Sequence, residues 1–388
     1  MTALPLHGLR VVELGRTCMA AYCARLLADA GADVVKVEPP VGDPSRRRGP
    51  FPNDTPHPER SGLFLLVNVN KRGVCLDVEQ QEGLRAFHGL LKWAQVLVTD
   101  LPRPEARRLG LAWRVLHRSY PHLLVTSVTY FGGSGPYRDY HANDHVVYNM
   151  GGLAYATPGI PDHVDDPGRE PPLRPSTPIS EFIAGAAGAT ATLLALLATR
   201  RDRQGRYIEV SAQEAVASLL FRDIVAYSYL RLVTGRRPVQ VAVQPNALMP
   251  CKDGYILLAV PYDHMWQRFV GLLGDPEWAQ WDLFKDSLHR AANWDALYPL
   301  LLDWTMRFTG EEIMHMTQGI GIPCFRSFRV AEVVESAHER ERGYFWELPV
   351  EGNRDAKVPG SPFIMSGTPF QLRRSPPRLG QHNHEVLG

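Results

Sequence analysis

Glu181 is the carboxylate with the clearest chemical potential in this 388-residue chain. It follows Ser180, a good helix N-cap residue, and opens a run rich in alanine and glycine. A side chain in the first turn of a helix faces the positive end of the macrodipole, which favours an anion there. Held in place, such a carboxylate can attack a thioester and form a mixed anhydride. An ordinary helix-start glutamate fits the same position, so residue type alone leaves both readings open. Other chemistry is poorly provided for. No GxSxG elbow supports a Ser/His/Asp hydrolase. His141, His145, His382 and His384 lack the spacing of a metal set, and Cys18 and Cys23 have no second pair to complete a zinc site. Arg46, Arg47 and Arg48 read either as forked phosphate donors or as a solvated basic loop. The glycine-rich turn from Gly132 to Pro136 is a weaker phosphate candidate.

The elements that must position these groups alternate between strand and helix. Leu9–Leu14 is β-prone, Met19–Ala30 has helical apolar spacing, Gly31 stops that helix, and Asp33–Glu38 is a second strand. So short a connection requires parallel pairing with a right-handed crossover. The pattern repeats with strands at Gly73–Asp77, Gln95–Thr99 and Leu123–Val128, and with helices at Gln80–Trp93 and Arg103–Leu109. This predicts a doubly wound α/β sheet. No GxGxxG follows the first strand, so the usual dinucleotide turn is missing. A loop rich in proline, aspartate and glycine spans about 157–178, ahead of the helix carrying Glu181. A strand at Gly205–Ser211 follows, then a distinct region at roughly 235–330 with a strand at Tyr255–Val260 and helices rich in tryptophan and leucine. Trp266, Trp278 and Trp281 read as core, with an aromatic acid pocket as the alternative.

Composition sets the outer bounds. Hydrophobic residues are 45% and charged residues 21%, as in soluble globular proteins. Lys and Arg number 42 against 41 Asp and Glu, which argues against a nucleic-acid coat or a polybasic membrane binder. The stretch Phe182–Thr199 has 18 residues without a charge, at the lower edge of a membrane span. Its alanine and glycine content predicts instead a buried helix packed closely through Gly185 and Gly188. Five dispersed cysteines predict free buried thiols in a reducing, cytoplasmic compartment.

An ordered series of segments resembles the class III CoA-transferases, the formyl-CoA and carnitine CoA-transferase family. It runs through Pro5–Leu14, Leu27–Glu38, Asn70–Asp77, Gly110–Leu111, Tyr120–Pro121 and Tyr130–Tyr137. It continues with Asp144, Gly151–Leu153, Gly321–Cys324 and Pro377–Leu387, covering nearly the whole chain. The resemblance implies an α/β fold: a large Rossmann-like domain from residues 1–225 and 331–388, and a smaller α+β domain from residues 226–330. It further implies an interlocked, threaded dimer.

The family's nucleophilic aspartate falls on Glu181, within Pro178–Gly185. Its coenzyme A positions fall on Cys18, Met19, Leu76, Asp100, Leu101, Arg108 and His141. Pro39 stands where an arginine often follows the second strand, and Glu79 where a lysine can stand. These departures suggest a relaxed coenzyme A site. Implied substrates are an acyl-CoA and a carboxylic acid, with no permanently bound cofactor and no metal. The first reading is an active CoA-transferase acting through Glu181. The second is a catalytically reduced subunit, paired with an aspartate-bearing paralogue in a heteromer. The third, a 2-methylacyl-CoA racemase, is poorly supported, because Asn143 precedes Asp144 where that branch needs a histidine.

Overall fold

Short apolar runs become the central strands here because they are covered on both faces. The computed structural model describes residues 3–157, 171–233, 244–350 and 356–388. Its main sheet comprises β1 (Arg10–Leu14), β2 (Asp33–Glu38), β3 (Arg72–Cys75), β4 (Val96–Thr99), β5 (Leu124–Thr129) and β6 (Tyr207–Ser211). All pairings are parallel, in the order β3-β2-β1-β4-β5-β6. Val11, Val12, Val34, Val35, Val96 and Val98 are fully or almost fully buried, as expected of a sheet sandwiched between helices. The predicted doubly wound sheet is present.

Among the helices that accompany this sheet are α1 (Cys18–Asp29), α2 (Gly62–Asn68), α3 (Gln81–Trp93), α4 (Arg103–Arg108), α5 (Trp113–Ser119), α6 (Asp144–Met150), α7 (Leu153–Ala156), α8 (Ile179–Asp202), α9 (Ala212–Ala217) and α10 (Phe221–Leu230). Helix α8 is long and apolar enough to cross a membrane by length and composition. Its first half is built for close packing: a Cβ on Gly185 would lie 2.8 Å from the Met19 carbonyl oxygen, and one on Gly188 would lie 2.9 Å from Val128 Cγ2. The expected glycine seam is therefore real. Burial along the whole helix is not, because Leu193, Leu194 and Leu197 are exposed on its second half.

The described chain forms two compact units. The first holds the parallel sheet and takes back the chain from residue 340 onward. Its end is sewn to β3: the Gly73 N–H donates to His382 Nδ1 at 3.1 Å and the Cys75 N–H to Asn383 Oδ1 at 2.8 Å. The second unit carries an antiparallel sheet of β7 (Asn246–Cys251), β8 (Gly254–Ala259) and β9 (Cys324–Arg326). Residues 226–233 belong to the first unit and 331–339 to the second, so the boundaries differ from the expected 226–330. Helix α10 runs unbroken through Leu230, and Arg326 bridges to both Asp253 and Glu332. Trp266 is buried beside Phe269 and Trp304, with half-buried Trp278 packed on that core, whereas Trp281 is exposed and stacks on Phe284. The first two are core residues of the second unit.

One feature of the first unit runs against the apolar pattern. Glu13 on β1 is fully buried and meets Lys36 Nζ at 2.7 Å and Lys71 Nζ at 2.6 Å. Lys36 also meets Asp43 at 2.7 Å, and Lys71 donates to the Ala21 carbonyl and Asn68 Oδ1. Burial alone would raise the Glu13 carboxyl; the two ammonium groups override it and hold the group below its ordinary value.

Candidate active site

The sheet order reverses direction at β1, whose neighbours are β2 and β4. Loops leaving the carboxyl ends of β1 and β4 diverge there and open a crevice, the usual ligand position in such sheets. Gly15, Arg16 and Thr17 leave β1; Asp100 and Leu101 leave β4. Asp100 ties the two loops together. It accepts from the Arg16 N–H at 2.9 Å, the Thr17 N–H at 2.8 Å and the Thr17 hydroxyl at 2.6 Å. Burial, opposed by these hydrogen bonds, raises its carboxyl to about 6.

Thr17 then caps α1, and the next residue reaches the key carboxylate. The Cys18 N–H donates to Glu181 Oε2 at 2.9 Å, and the Tyr130 hydroxyl donates to Oε1 at 2.8 Å. Glu181 is only 3% exposed. Burial and the adjacent Glu181 charge push the Cys18 thiol and the Tyr130 phenol well up, so both stay protonated. Cys18 therefore serves through its backbone rather than as a thiolate.

The helix carrying Glu181 begins differently from expectation. Ser180 is not the N-cap: α8 starts at Ile179, with Pro178 before it. Ser180 lies inside the first turn and donates its hydroxyl to the Asp144 carbonyl at 3.2 Å. The acceptor for the helix end comes from another segment, since the Glu181 N–H donates to Asp144 Oδ1 at 3.1 Å. Asp144 is thus already engaged, and Asn143 accepts from the Val146 N–H as the cap of α6. No free base pair for a racemase arises at this position.

Two clefts meet at Glu181's edge, sharing Arg16, Thr17 and Tyr130. One, of about 590 Å³, runs over β4, β5 and β6 and is lined by Asp100, Leu101, Arg103, Arg107, Trp113, Arg114, Arg138, Tyr140 and Tyr207 among others. The other, of about 400 Å³, contains Glu181 with Arg48, Asp144, His145 and Arg174. Aromatic faces and arginines in the first suit a nucleotide; the second is small and polar.

Of the residues expected to bind coenzyme A, the structure gathers Cys18, Asp100 and Leu101 here. Met19 is buried behind the site against Val128 and Ala184. Leu76 is a core residue. His141 is exposed and lines neither cleft. Arg108 is exposed too, and its fork is taken by Glu79, with Nη2–Oε1 at 2.7 Å. The arginine and the expected phosphate-repelling glutamate therefore satisfy each other instead of acting separately.

Two phosphate candidates are also occupied. Arg46 is buried, bound to Glu38 and Glu59, with its guanidinium 3.6 Å over the Phe64 ring. The Gly132–Gly133 turn faces the Glu209 carboxylate, where a Cβ on Gly133 would lie 2.7 Å from Oε2. An anion already sits there. Arg16, Thr17, Tyr130 as a donor, and Arg174 were not identified from sequence. The first three could have been found from their place just beyond strand ends; Arg174 carries no such signal. Among the described residues, no group of three His, Cys, Asp or Glu could hold a metal ion. All five cysteines are free, and only Cys75 is less than fully buried.

A parallel α/β sheet whose switch-point crevice holds a hydrogen-bonded carboxylate defines a doubly wound protein with a candidate acyl-accepting site. The chain belongs to CoA-transferase family III, whose model matches residues 6–383. It is 30% identical to the Succinyl-CoA--L-malate CoA-transferase alpha subunit of Chloroflexus aurantiacus, covering 99% of this chain and 88% of that one. It is also 30% identical to the beta subunit of that name from a strain of the same organism, covering 100% and 94%. A crystal structure of a CAIB/BAIF family protein from Brucella suis superposes with a TM-score of 0.88 at 25% identity, covering 99% of both chains.

Proposed function

We propose that this chain moves coenzyme A between an acyl-CoA and a free carboxylic acid, with Glu181 as the covalent acceptor. The observation that carries this reading is a nearly buried carboxylate, fixed by the Cys18 N–H and the Tyr130 hydroxyl, at the meeting point of two clefts. Coenzyme A occupies the larger cleft and the acids exchange in the smaller. The Glu181 carboxylate attacks the thioester carbonyl; the C–S bond breaks, leaving a mixed anhydride and the coenzyme A thiolate. The thiolate attacks the Glu181 carbonyl carbon, releasing the first acid as its carboxylate and forming an enzyme thioester. The incoming carboxylate attacks that thioester, forming a second anhydride and freeing the thiolate again. Attack of the thiolate on the new acyl carbon yields the product thioester and restores Glu181. No net proton is consumed. The names of the two relatives pair succinyl-CoA with L-malate, so dicarboxylic acids are the first to try.

Succinyl-CoA and hydroxylamine incubated with the chain should leave a hydroxamate on the peptide containing Glu181, read by mass spectrometry. No label on the chain alone or with a second subunit would refute the proposed role of Glu181. Turnover that appears only after adding an aspartate-bearing homologous subunit, with Glu181 unlabelled, would support the second reading, a catalytically reduced subunit of a heteromer. That reading is favoured by the relatives' alpha and beta names. An interlocked pair, identical or not, also accounts for the apolar surface of α10 and the residues around it. Phe221 is 73% exposed and Tyr229 83%, beside exposed Leu230 and Val233.

Two side chains give graded predictions. Tyr130→Phe removes one hydrogen bond to a charged acceptor, worth about 1.5–3 kcal/mol. Steady-state kinetics should show kcat reduced by roughly 10–100-fold with little change in KM. Asp100 is charged above about 6 and protonated below it. The protonated acid loses an acceptor for the Thr17 loop, so the support of Cys18 loosens as pH falls. The pH profile of kcat/KM should fall on the acid side of about 6 in the native chain, and Asp100→Asn should remove that limb at a lower plateau.

A further inference from the structure

Arg48 and Arg174 stand far apart in the first unit's sequence, yet both line the small cleft that holds Glu181. Both side chains are exposed, and neither guanidinium has a hydrogen-bond or ion-pair partner among the described residues. The other charges of the cleft are accounted for. Arg16 is bound by Glu105 at 2.5 Å, Glu181 by Tyr130 and Cys18, and Asp144 by the Glu181 N–H. The cleft therefore presents two uncommitted guanidinium forks beside one committed nucleophile. Arg48 is close enough for its charge to act on the Cys18 thiol at the same carboxylate.

We infer that Arg48 and Arg174 form a subsite for the remote carboxylate of a dicarboxylic acid, whose near carboxyl is the one exchanged on Glu181. Guanidinium forks match carboxylate geometry and hold it by charge-assisted pairs. Substrate phosphates have their own candidates in the other cleft, where Arg103, Arg107, Arg114 and Arg138 accompany the Trp113 ring. A short dicarboxylate fits the volume of about 400 Å³. A monocarboxylate of the same length would leave both forks unmatched, and so would bind more weakly. The assignment rests on the reading of Glu181 as acyl acceptor, but its binding component can be measured without turnover.

The test compares succinate with butyrate, using the full chain and its Arg48→Gln, Arg174→Gln, Arg174→Lys and Glu181→Gln variants, each checked for native circular dichroism. Binding is followed by ligand-observed NMR with coenzyme A present. Succinate should bind the native chain at least about tenfold more tightly than butyrate, the scale of one charge-assisted pair. Arg48→Gln and Arg174→Gln should each remove about tenfold of succinate affinity and leave butyrate unchanged, with partial recovery in Arg174→Lys. Glu181→Gln should keep the succinate preference while losing turnover, which separates failure of the subsite from failure of the nucleophile. The subsite is overturned if succinate and butyrate bind alike, if the arginine variants weaken both equally, or if coenzyme A affinity falls in place of succinate affinity.

Discussion

Glu181→Gln should reduce CoA transfer by about 10⁴-fold or more, because the amide keeps the shape of the side chain but cannot form an anhydride. The variant still accepts a hydrogen bond from the Cys18 N–H, so binding of substrates should survive while kcat collapses. Glu181→Asp is the more discriminating change. It withdraws the carboxylate by one methylene, about 1.5 Å, away from both the Tyr130 hydroxyl and the Cys18 N–H. Misplacement on that scale costs about 100-fold in rate. The structure fits glutamate to its two donors, so aspartate should be the poorer residue here. A rise in turnover with aspartate, measured by transfer between succinyl-CoA and a second acid, would instead mark Glu181 as a disabling departure and favour the accessory-subunit reading.

The second large effect concerns stability. Glu13→Ala should cost about 3–5 kcal/mol, read by denaturant unfolding, because it leaves two buried ammonium groups beside an empty space. Its acid dependence has a definite sign. The folded Glu13 carboxyl lies below its ordinary value of 4.5, so its contribution is present above that pH and is lost as pH falls below it. The native chain should therefore shed part of its margin below about pH 4.5, and Glu13→Ala should shed correspondingly less.

The parallel sheet was legible because strands buried on both faces read as apolar runs, as Val11–Val12 and Val34–Val35 do. Glu181 was legible for a different reason, through its place at the start of a long helix. What escaped detection depended on contacts across the fold. Ser180 has the chemistry of a cap, but Asp144, 37 residues away, supplies the acceptor and moves the helix start. Helix α5 has no side-chain cap to announce it. Arg108 has the chemistry of a phosphate ligand, but Glu79, 29 residues away, takes its fork. Local preference could not foresee either competition. Arg48 was visible only as one of three consecutive arginines, whose fates differ completely once Arg46 is buried on Glu38.

The glycine seam between α1 and α8 gives the Cys18–Glu181 geometry a mechanical origin. Cys18 and Glu181 stand at the starts of these two helices, so their separation is read out by how near the two backbones lie along Gly185 and Gly188. At Gly185 the opposing atoms include the Met19 carbonyl and the Cys23 amide nitrogen, which cannot swing aside as a side chain would. A single added methyl there acts as a wedge driven between two rails. The rails would part at the far end as well, and the Glu181 carboxylate would drift from its donor although no polar atom has been touched.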